Sequence, residues 1–381
     1  MQQLINPGRL GILGGGQLAR MTLQAAISLG VDVAVLAEAA DSPAGRLTQH
    51  EFVGAWDDMV VLQAFADAID VVTLENEFVD AAILAQLAAW EKPVRPDAGV
   101  LQVIQDKLLQ KQRLAEHGLP VPPFAAVDTA DDILRAANEW GWPLILKARR
   151  NGYDGYGNAT LNGPYDLDPA LRRLGWPERT LFVEQAIPFE RELAVLVARG
   201  IDGDSVTYPV VETVQRDHIC HIVRAPAPIK TEMANVATAI AHTAVQAVDG
   251  LGITAVELFQ TADGILINEL APRPHNSGHF SIDACHTSQF ENHLRAVLGL
   301  PLGDAGLRVG AAVMVNLLGT RNGPARPAGL ADALRVPNIH IHIYGKREVR
   351  QGRKMGHITG LGDDLRIAEE RALEAARILH L

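Results

Sequence analysis

Short apolar runs alternate with helical apolar spacing through the first hundred residues. Arg9 to Leu13 predicts a strand, Gln17 to Leu29 a helix closed by Gly30, and Val31 to Ala37 a second strand. Val71 to Leu74 predicts another strand, leading into an Ala-rich helix over about Asp80 to Trp90. Strands that alternate with helices imply a parallel sheet covered on its faces. After a break at Pro93 and Pro96, the spacing predicts one helix from about Val100 to His117, stopped by Gly118 and the prolines at 120, 122 and 123. From there to about Leu300, strands such as Leu144 to Lys147 and Leu181 to Glu184 mix with helices such as Thr231 to Val248, an α+β order. Leu298-Gly-Leu-Pro-Leu-Gly ends that region. Strand patterns follow at Ala311 to Leu317 and Asn338 to Tyr344, then a helix over Leu365 to Leu379. The expected domains are therefore 1–98, 99–302 and 303–381.

A length of 381 residues is ample for two or three domains. Hydrophobic residues at 48% and charged residues at 21% exclude disorder as a whole-chain state. With 34 Lys and Arg against 45 Asp and Glu, the net charge of −11 argues against a nucleic-acid binder with a broad electrostatic footprint. An anionic ligand would need positive charge gathered locally. No apolar run reaches the 18 or so residues of a membrane span. Cys220 and Cys285 form no CxxC pair, so neither a disulfide framework nor a zinc ribbon is indicated. The expectation is a soluble cytoplasmic enzyme.

Gly14-Gly15-Gly16-Gln17-Leu18-Ala19 satisfies G-x-G-x-x-A between a strand and a helix, with Glu38 after the next strand. It fits a dinucleotide fingerprint, or a tight turn put to some other use. Glu257 and Glu269 flank two apolar runs around Ala262-Asp263-Gly264. A three-residue hairpin loop there sets 261 against 265 and Glu257 against Glu269, with Phe259 and Ile267 on the same face. Opposed carboxylates on a sheet call for a divalent cation. A two-residue loop would instead shift the register and part the two side chains.

Lys147 ends an apolar strand, and Gly152, Gly155 and Gly157 follow in a loop able to approach phosphate closely, or in a plain surface hairpin tip. Glu184 ends another strand, and Glu192 follows a short irregular segment. Pro272 and Pro274 hold Arg273 in extended geometry beside His275 and Asn276. Lys346, Arg347, Arg350, Arg353 and Lys354 fall within nine residues, opposed only by Glu348. That cluster suits a phosphorylated ligand or a solvated turn. His218, Cys220 and His221 span both faces of a strand, and His340 and His342 lack a third ligand, so both groups read as structural.

Taken in order, these pieces resemble the ATP-grasp superfamily, whose two α+β subdomains hold ATP between them. Within it, the chain resembles the 5-(carboxyamino)imidazole ribonucleotide synthases of purine biosynthesis, which use ATP and bicarbonate. The stretches that carry the resemblance are GILGGGQLARM, TLENEFV, QDKLLQKQRLAEHGLPVPPF, GYDGYGN, VEQAIPFERELAV, ITAVELF, INELAPRPHNSGH and YGKREVRQGRKMGHI, from Gly11 to Ile358.

The resemblance implies a Rossmann-like N-terminal domain, a two-subdomain ATP-grasp centre and a small C-terminal β-rich domain. It implies that Lys107 and Lys147 contact the nucleotide while Gly152, Tyr153, Asp154, Gly155, Tyr156, Gly157 and Asn158 close over its phosphates. Glu184, Gln185, Ala186 and Ile187 would form the adenine hinge, with Glu192 at the ribose. Gln215 stands where the family has a histidine contact, Asn151 where it has glycine and Tyr156 where it has a basic residue. Glu257, Asn268 and Glu269 would hold Mg²⁺, with Mn²⁺ as a substitute. The aminoimidazole ribonucleotide would lie near Glu75, Tyr153, Arg273, His275 and Asn276, its phosphate on Lys346, Arg353 and Lys354. Tyr153, Asp154 and His275 are the candidates for proton handling. A homodimer is implied as well. The nearest alternative is a formate-dependent glycinamide ribonucleotide transformylase. An NAD-dependent oxidoreductase would leave the Glu257 and Glu269 pair idle, and a non-catalytic nucleotide-binding regulator would bind ATP without turnover.

Overall fold

The computed structural model describes residues 8–152 and 157–381. The first layer runs β1 (Leu10–Leu13), α1 (Gln17–Ser28), β2 (Val33–Ala37), β3 (His50–Val53), α2 (Met59–Asp67), β4 (Val71–Leu74) and α3 (Ala81–Ala89). Its four strands are all parallel, in the order β3-β2-β1-β4. Three of these strands carry the predicted apolar runs and are buried on both faces. The fourth, β3, sits at the edge, half-exposed and polar at His50 and Glu51, and so left no apolar run to read.

The helix expected over Val100 to His117 is two helices, α4 (Ala98–Gln105) and α5 (Lys107–Glu116). Asp106 between them leaves the helical region at φ −95° and ψ 99°, and its carboxylate accepts from the amides of Leu108 and Leu109. An aspartate at this position caps the second helix. The Arg149 guanidinium holds the same carboxylate with two hydrogen bonds, of 2.9 and 2.7 Å.

Next come β5 (Phe124–Val127), α6 (Ala130–Trp140), β6 (Leu144–Ala148), β7 (Asn158–Leu161), α7 (Leu167–Leu174) and β8 (Leu181–Gln185). The strands form an antiparallel sheet in the order β5-β8-β6-β7, with α6 and α7 packed on it.

The largest layer is a nine-stranded antiparallel sheet. It draws on β9 (Arg191–Arg199), β10 (Ser205–Thr207), β11 (Val211–Arg216), β12 (Ile219–Ala225), the helix α8 (Thr231–Ala247), β13 (Gly252–Thr261) and β14 (Gly264–Ala271). After α9 (Ser281–Ala284) and α10 (Gln289–Leu298), the chain continues the same sheet with β15 (Ala311–Leu318). A short pair, β16 (Gly323–Pro324) and β18 (Glu348–Val349), lies beside it, with α11 (Leu330–Ala333) and β17 (Ile339–Ile343) between them in sequence. The strand β19 (Lys354–Gly362) and the helix α12 (Leu365–Ile378) finish the chain. Strand order is β14-β13-β9-β11-β12-β15-β19-β17, with β10 on β9. Residues past 303 thus extend the central sheet rather than starting a separate one.

Each face of this sheet has its own core. Alanines 237, 241 and 244 of α8 are fully buried and let that helix close on Val195, Val256 and Leu258. The opposite face packs Leu196, Ile253 and Met314 under Phe280 and Tyr208. Among the described residues no helix is long and apolar enough to cross a membrane.

Candidate active site

The β13–β14 hairpin places the two carboxylates by an unexpected route. Thr261 pairs with Gly264, so the loop is Ala262-Asp263, two residues rather than three. The register then runs Phe259–Leu266 and Leu258–Ile267, until Asn268 is inserted as a bulge and Glu257 pairs with Glu269. The carboxylates are therefore opposed because one extra strand residue offsets the shorter loop. Phe259 stays on the cleft face as expected. Ile267 does not: it pairs with Leu258 and is fully buried in the core under α8. The bulge brings both Asn268 and Glu269 to the cleft beside Glu257.

These groups share a cavity of about 470 Å³ between the β5-β8-β6-β7 sheet and the nine-stranded sheet. It also takes in Lys107, Lys147, Gly152, Asn158, Glu184, Gln185, Ala186, Ile187, Glu192 and Gln215. Tyr153, Asp154, Gly155 and Tyr156, expected in the covering loop, lie outside the described residues. Gly157 has φ +95°, where a side chain would be strained. The apolar end is walled by Ile145 and by Phe189 stacked on Phe259, ring centroids 4.7 Å apart, a slot suited to a flat heteroaromatic group. Gln215 hydrogen-bonds Glu192, whose carboxyl is pushed up chiefly by burial.

The electrostatics call for added positive charge. Burial, Glu269 and Glu192 together push the Glu257 carboxyl up, whereas the Lys107 ammonium paired with Glu269 holds that carboxyl down. His275 Nε2 lies 3.3 Å from Glu257 Oε1. Burial, then Arg273 and Lys354, lower the His275 imidazole to about 3, so it is neutral at pH 7. Its Nδ1 accepts from the Ser277 amide, which leaves the proton on Nε2, facing Glu257. Asn276 exchanges side-chain hydrogen bonds with Asn316 of β15.

Two residues at the site were missed from sequence. Glu77 grips the Arg273 guanidinium through both carboxylate oxygens. Lys111, one helical turn after Lys107, pairs with Glu184 at 2.9 Å, and Glu184 also pairs with Lys147 at 2.5 Å. The i, i+4 spacing of the two lysines on α5 was the available signal for the second.

The glycine-rich turn after β1 has a different use from a dinucleotide site. The Glu75 carboxylate occupies the N-terminus of α1, accepting from the Gly16 amide at 2.6 Å and the Leu18 amide at 3.2 Å. A Cβ on Gly14 or Gly16 would strike Glu75, and one on Gly15 would strike Ser42. The glycines thus let this carboxylate close in, and burial raises its pKa. Across the adjoining cleft stand Lys346, Arg347, Arg350 and Arg353, whereas Lys354 points into the main cavity. The structure divides the basic cluster between two neighbouring spaces. Asp283, His342 and His357 also converge. The two imidazoles stack at 4.5 Å with planes 17° apart, so their in-plane lone pairs cannot meet on one ion as they stand.

Three family models match in sequence order: a ribonucleotide synthetase preATP-grasp domain over residues 8–105, an ATP-grasp domain over 112–290, and a phosphoribosylaminoimidazole carboxylase C-terminal domain over 312–371. The chain is 44% identical over 377 residues to an N5-carboxyaminoimidazole ribonucleotide synthase of Mycobacterium tuberculosis, covering 97% of this chain and 87% of that one. It is 42% identical over 364 residues to a chloroplastic phosphoribosylaminoimidazole carboxylase of Vigna aconitifolia, covering 93% of this chain but 64% of that longer protein. Among solved structures, an ADP complex of an N5-carboxyaminoimidazole ribonucleotide synthetase matches with a TM-score of 0.90 at 36% identity, covering 98% of each chain. An Aspergillus clavatus N5-carboxyaminoimidazole synthase in complex with ADP and 5-aminoimidazole ribonucleotide matches at 0.89 and 35%, covering 98% of this chain and 99% of that one. On this similarity along nearly its whole length, the chain belongs to the N5-carboxyaminoimidazole ribonucleotide synthase family of ATP-grasp proteins.

Proposed function

We propose that this chain is an ATP-dependent carbon–nitrogen ligase. It joins the carboxyl group of bicarbonate to the exocyclic amine of 5-aminoimidazole ribonucleotide, giving 5-(carboxyamino)imidazole ribonucleotide, ADP and phosphate in purine biosynthesis. The observation that carries this reading is one cavity in which Lys107, Lys147, Glu257 and Glu269 face Arg273, His275 and Lys354. The Aspergillus clavatus relative, in complex with ADP and the ribonucleotide, supports the same pair of ligands here.

Lys107 and Lys147 take the nucleotide phosphates, with Gly152 and Asn158 at the edge of the same cavity. The hinge Glu184 to Ile187 borders the base between Ile145 and Phe259, and Glu192 with Gln215 borders the ribose. Glu257, Asn268 and Glu269 fit Mg²⁺, or Mn²⁺ in its place: they offer only oxygen donors, and Lys107 already supplies a cation to Glu269. Such an ion would offset charge on the phosphoryl group in transfer. Phosphorylation turns bicarbonate into carboxyphosphate, whose ready hydrolysis requires that water be kept from the site.

Arg273, clamped by Glu77, holds the ribonucleotide with its amine towards the carboxyl donor, with Asn276 fixed by Asn316. The amine must lose a proton as the new bond forms. The candidates to take it are Tyr153, Asp154 and His275, the last of which presents Nε2–H in the ligand-free protein. Glu75 and the cations Lys346, Arg353 and Lys354 take the ribonucleotide and its phosphate. The same reading expects a cytoplasmic homodimer, testable by analytical ultracentrifugation.

The deciding experiment is ADP release with Mg-ATP and bicarbonate, with and without the ribonucleotide. Strong stimulation that needs bicarbonate and yields an acid-labile carboxylated product is the expected result. Stimulation by formate and glycinamide ribonucleotide instead would overturn the substrate, and ATP binding without turnover would favour a regulator.

A further inference from the structure

We infer that Lys111 is a positioning residue: it is the standing counter-ion of Glu184, and its presence frees Lys147 to move onto a nucleotide phosphate. The inference rests on the nucleotide reading of the cavity. Lys147 Nζ lies 2.5 Å from Glu184 Oε2, and the Glu184 side chain is only 3% exposed. A carboxylate that deep cannot lose its sole cation cheaply, because an unpaired buried charge is strongly unfavourable. If Lys147 were that sole partner, it would be locked to Glu184 and unavailable to any ligand.

Lys111 removes the conflict. Its Nζ stands 2.9 Å from the other oxygen, Glu184 Oε1, and also donates to the Ile267 carbonyl at 3.0 Å. The side chain is 2% exposed and is not among those facing the cavity, so it cannot follow a ligand. Lys107, four residues earlier on α5, does face the cavity. The helix therefore spends one lysine on the ligand space and the next on the carboxylate behind it. Two lysines around one carboxylate leave a net charge of +1, and of the two lysines Lys147 is the one that borders the cavity. Burial lowers the Lys111 ammonium and Glu184 restores part of the loss, to about 8, which keeps it charged at neutral pH.

The test is calorimetric binding of Mg-ADP to the full chain, with thermal unfolding followed in parallel. Lys111→Met leaves Lys147 fixed to Glu184 and is expected to weaken ADP by about tenfold or more, the scale of a lost charge-assisted contact. In steady state it should raise KM for ATP and leave KM for the ribonucleotide unchanged. Lys111→Arg keeps a cation on Glu184 without touching the cavity lining and should return ADP affinity to within about threefold of the starting protein. It preserves the charge balance of the trio, so it remains measurable if Lys111→Met unfolds. ADP binding by Lys111→Met at the original strength would overturn the inference. So would a folded Lys111→Arg as weak as Lys111→Met, or failure of both to fold, since Lys111 would then serve the fold and not the pairing of Glu184. Absence of ADP binding by the unaltered chain would overturn the nucleotide reading and this inference with it.

Discussion

Glu257 on β13 lies directly opposite Glu269 on β14, and only the bulge at Asn268 makes it so. Two acidic groups held face to face in a buried cleft destabilise the protein in the absence of a cation. Glu257→Gln is therefore expected to stabilise the ligand-free protein by about 1 kcal/mol, a typical gain when functional strain is relieved. Turnover should fall by about a hundredfold or more, the scale of removing a group that acts on the transition state. Thermal unfolding and ADP release on the same preparation check both halves. A loss of stability would show that the pair is not strained.

The cation should reveal itself in linkage. Mg²⁺ added to protein with ADP is expected to raise the unfolding temperature above that given by ADP alone, and excess chelator should return it. Glu269→Ala should abolish the Mg²⁺ increment and turnover together. An undiminished increment in that variant would place the ion elsewhere.

His293 makes the fold pH-sensitive. It reaches from α10 to Thr73 Oγ1 of β4 at 2.9 Å through Nε2, and its Nδ1 accepts from the Ile253 amide at 3.1 Å. Burial lowers it from 6.5 to about 4 in the folded state. The unfolded chain therefore binds the proton first as pH falls. The stabilising contribution is whole above pH 6.5 and drains away towards pH 4, by about 3 kcal/mol at 1.36 kcal/mol per unit. Urea unfolding at stepped pH should show that slope, and His293→Gln should flatten it by up to one proton. An unchanged slope would mean that other groups carry it.

Glu77 is expected to act on the ribonucleotide and not on ATP. Its bidentate grip fixes Arg273, and an amide would hold the guanidinium more weakly. Glu77→Gln should raise KM for 5-aminoimidazole ribonucleotide by about tenfold with KM for ATP little changed. Equal effects on both would point to general disturbance of the cleft.

Local pattern carried much of the fold. The buried runs of β1, β2 and β4 were plain because strands apolar on both faces have no polar alternation to confuse them. β3 was silent because an edge strand tolerates polar residues. The break at Asp106 was hidden because the apolar spacing continues across it, and only the aspartate's cap marks the restart. The Glu257 and Glu269 pairing was reached through the wrong loop length: the sequence offers no sign of the bulge. The partnerships of Lys111 with Glu184 and of Glu77 with Arg273 join residues 73 and 196 positions apart. The i, i+4 spacing sets Lys111 on the helix face of Lys107, but neither residue type nor spacing encodes which carboxylate it meets. The glycine turn was legible as a tight turn with another use, but its small residues report a close neighbour and not the identity of that neighbour.

The unbroken nine-stranded sheet acts as a ruler. Glu192 stands on β9 and Lys354 begins β19, four strand positions away in the order β9-β11-β12-β15-β19. At roughly 4.8 Å per step, these strands lie about 19 Å apart, and lateral backbone hydrogen bonds set that interval. The four registered pairs between β12 and β15 bridge the point where the family models divide the chain. The gap between the ribose end and the phosphate end of the proposed reaction is thus measured in whole strands. A side-chain substitution at either end leaves that interval unchanged, because backbone pairing sets it.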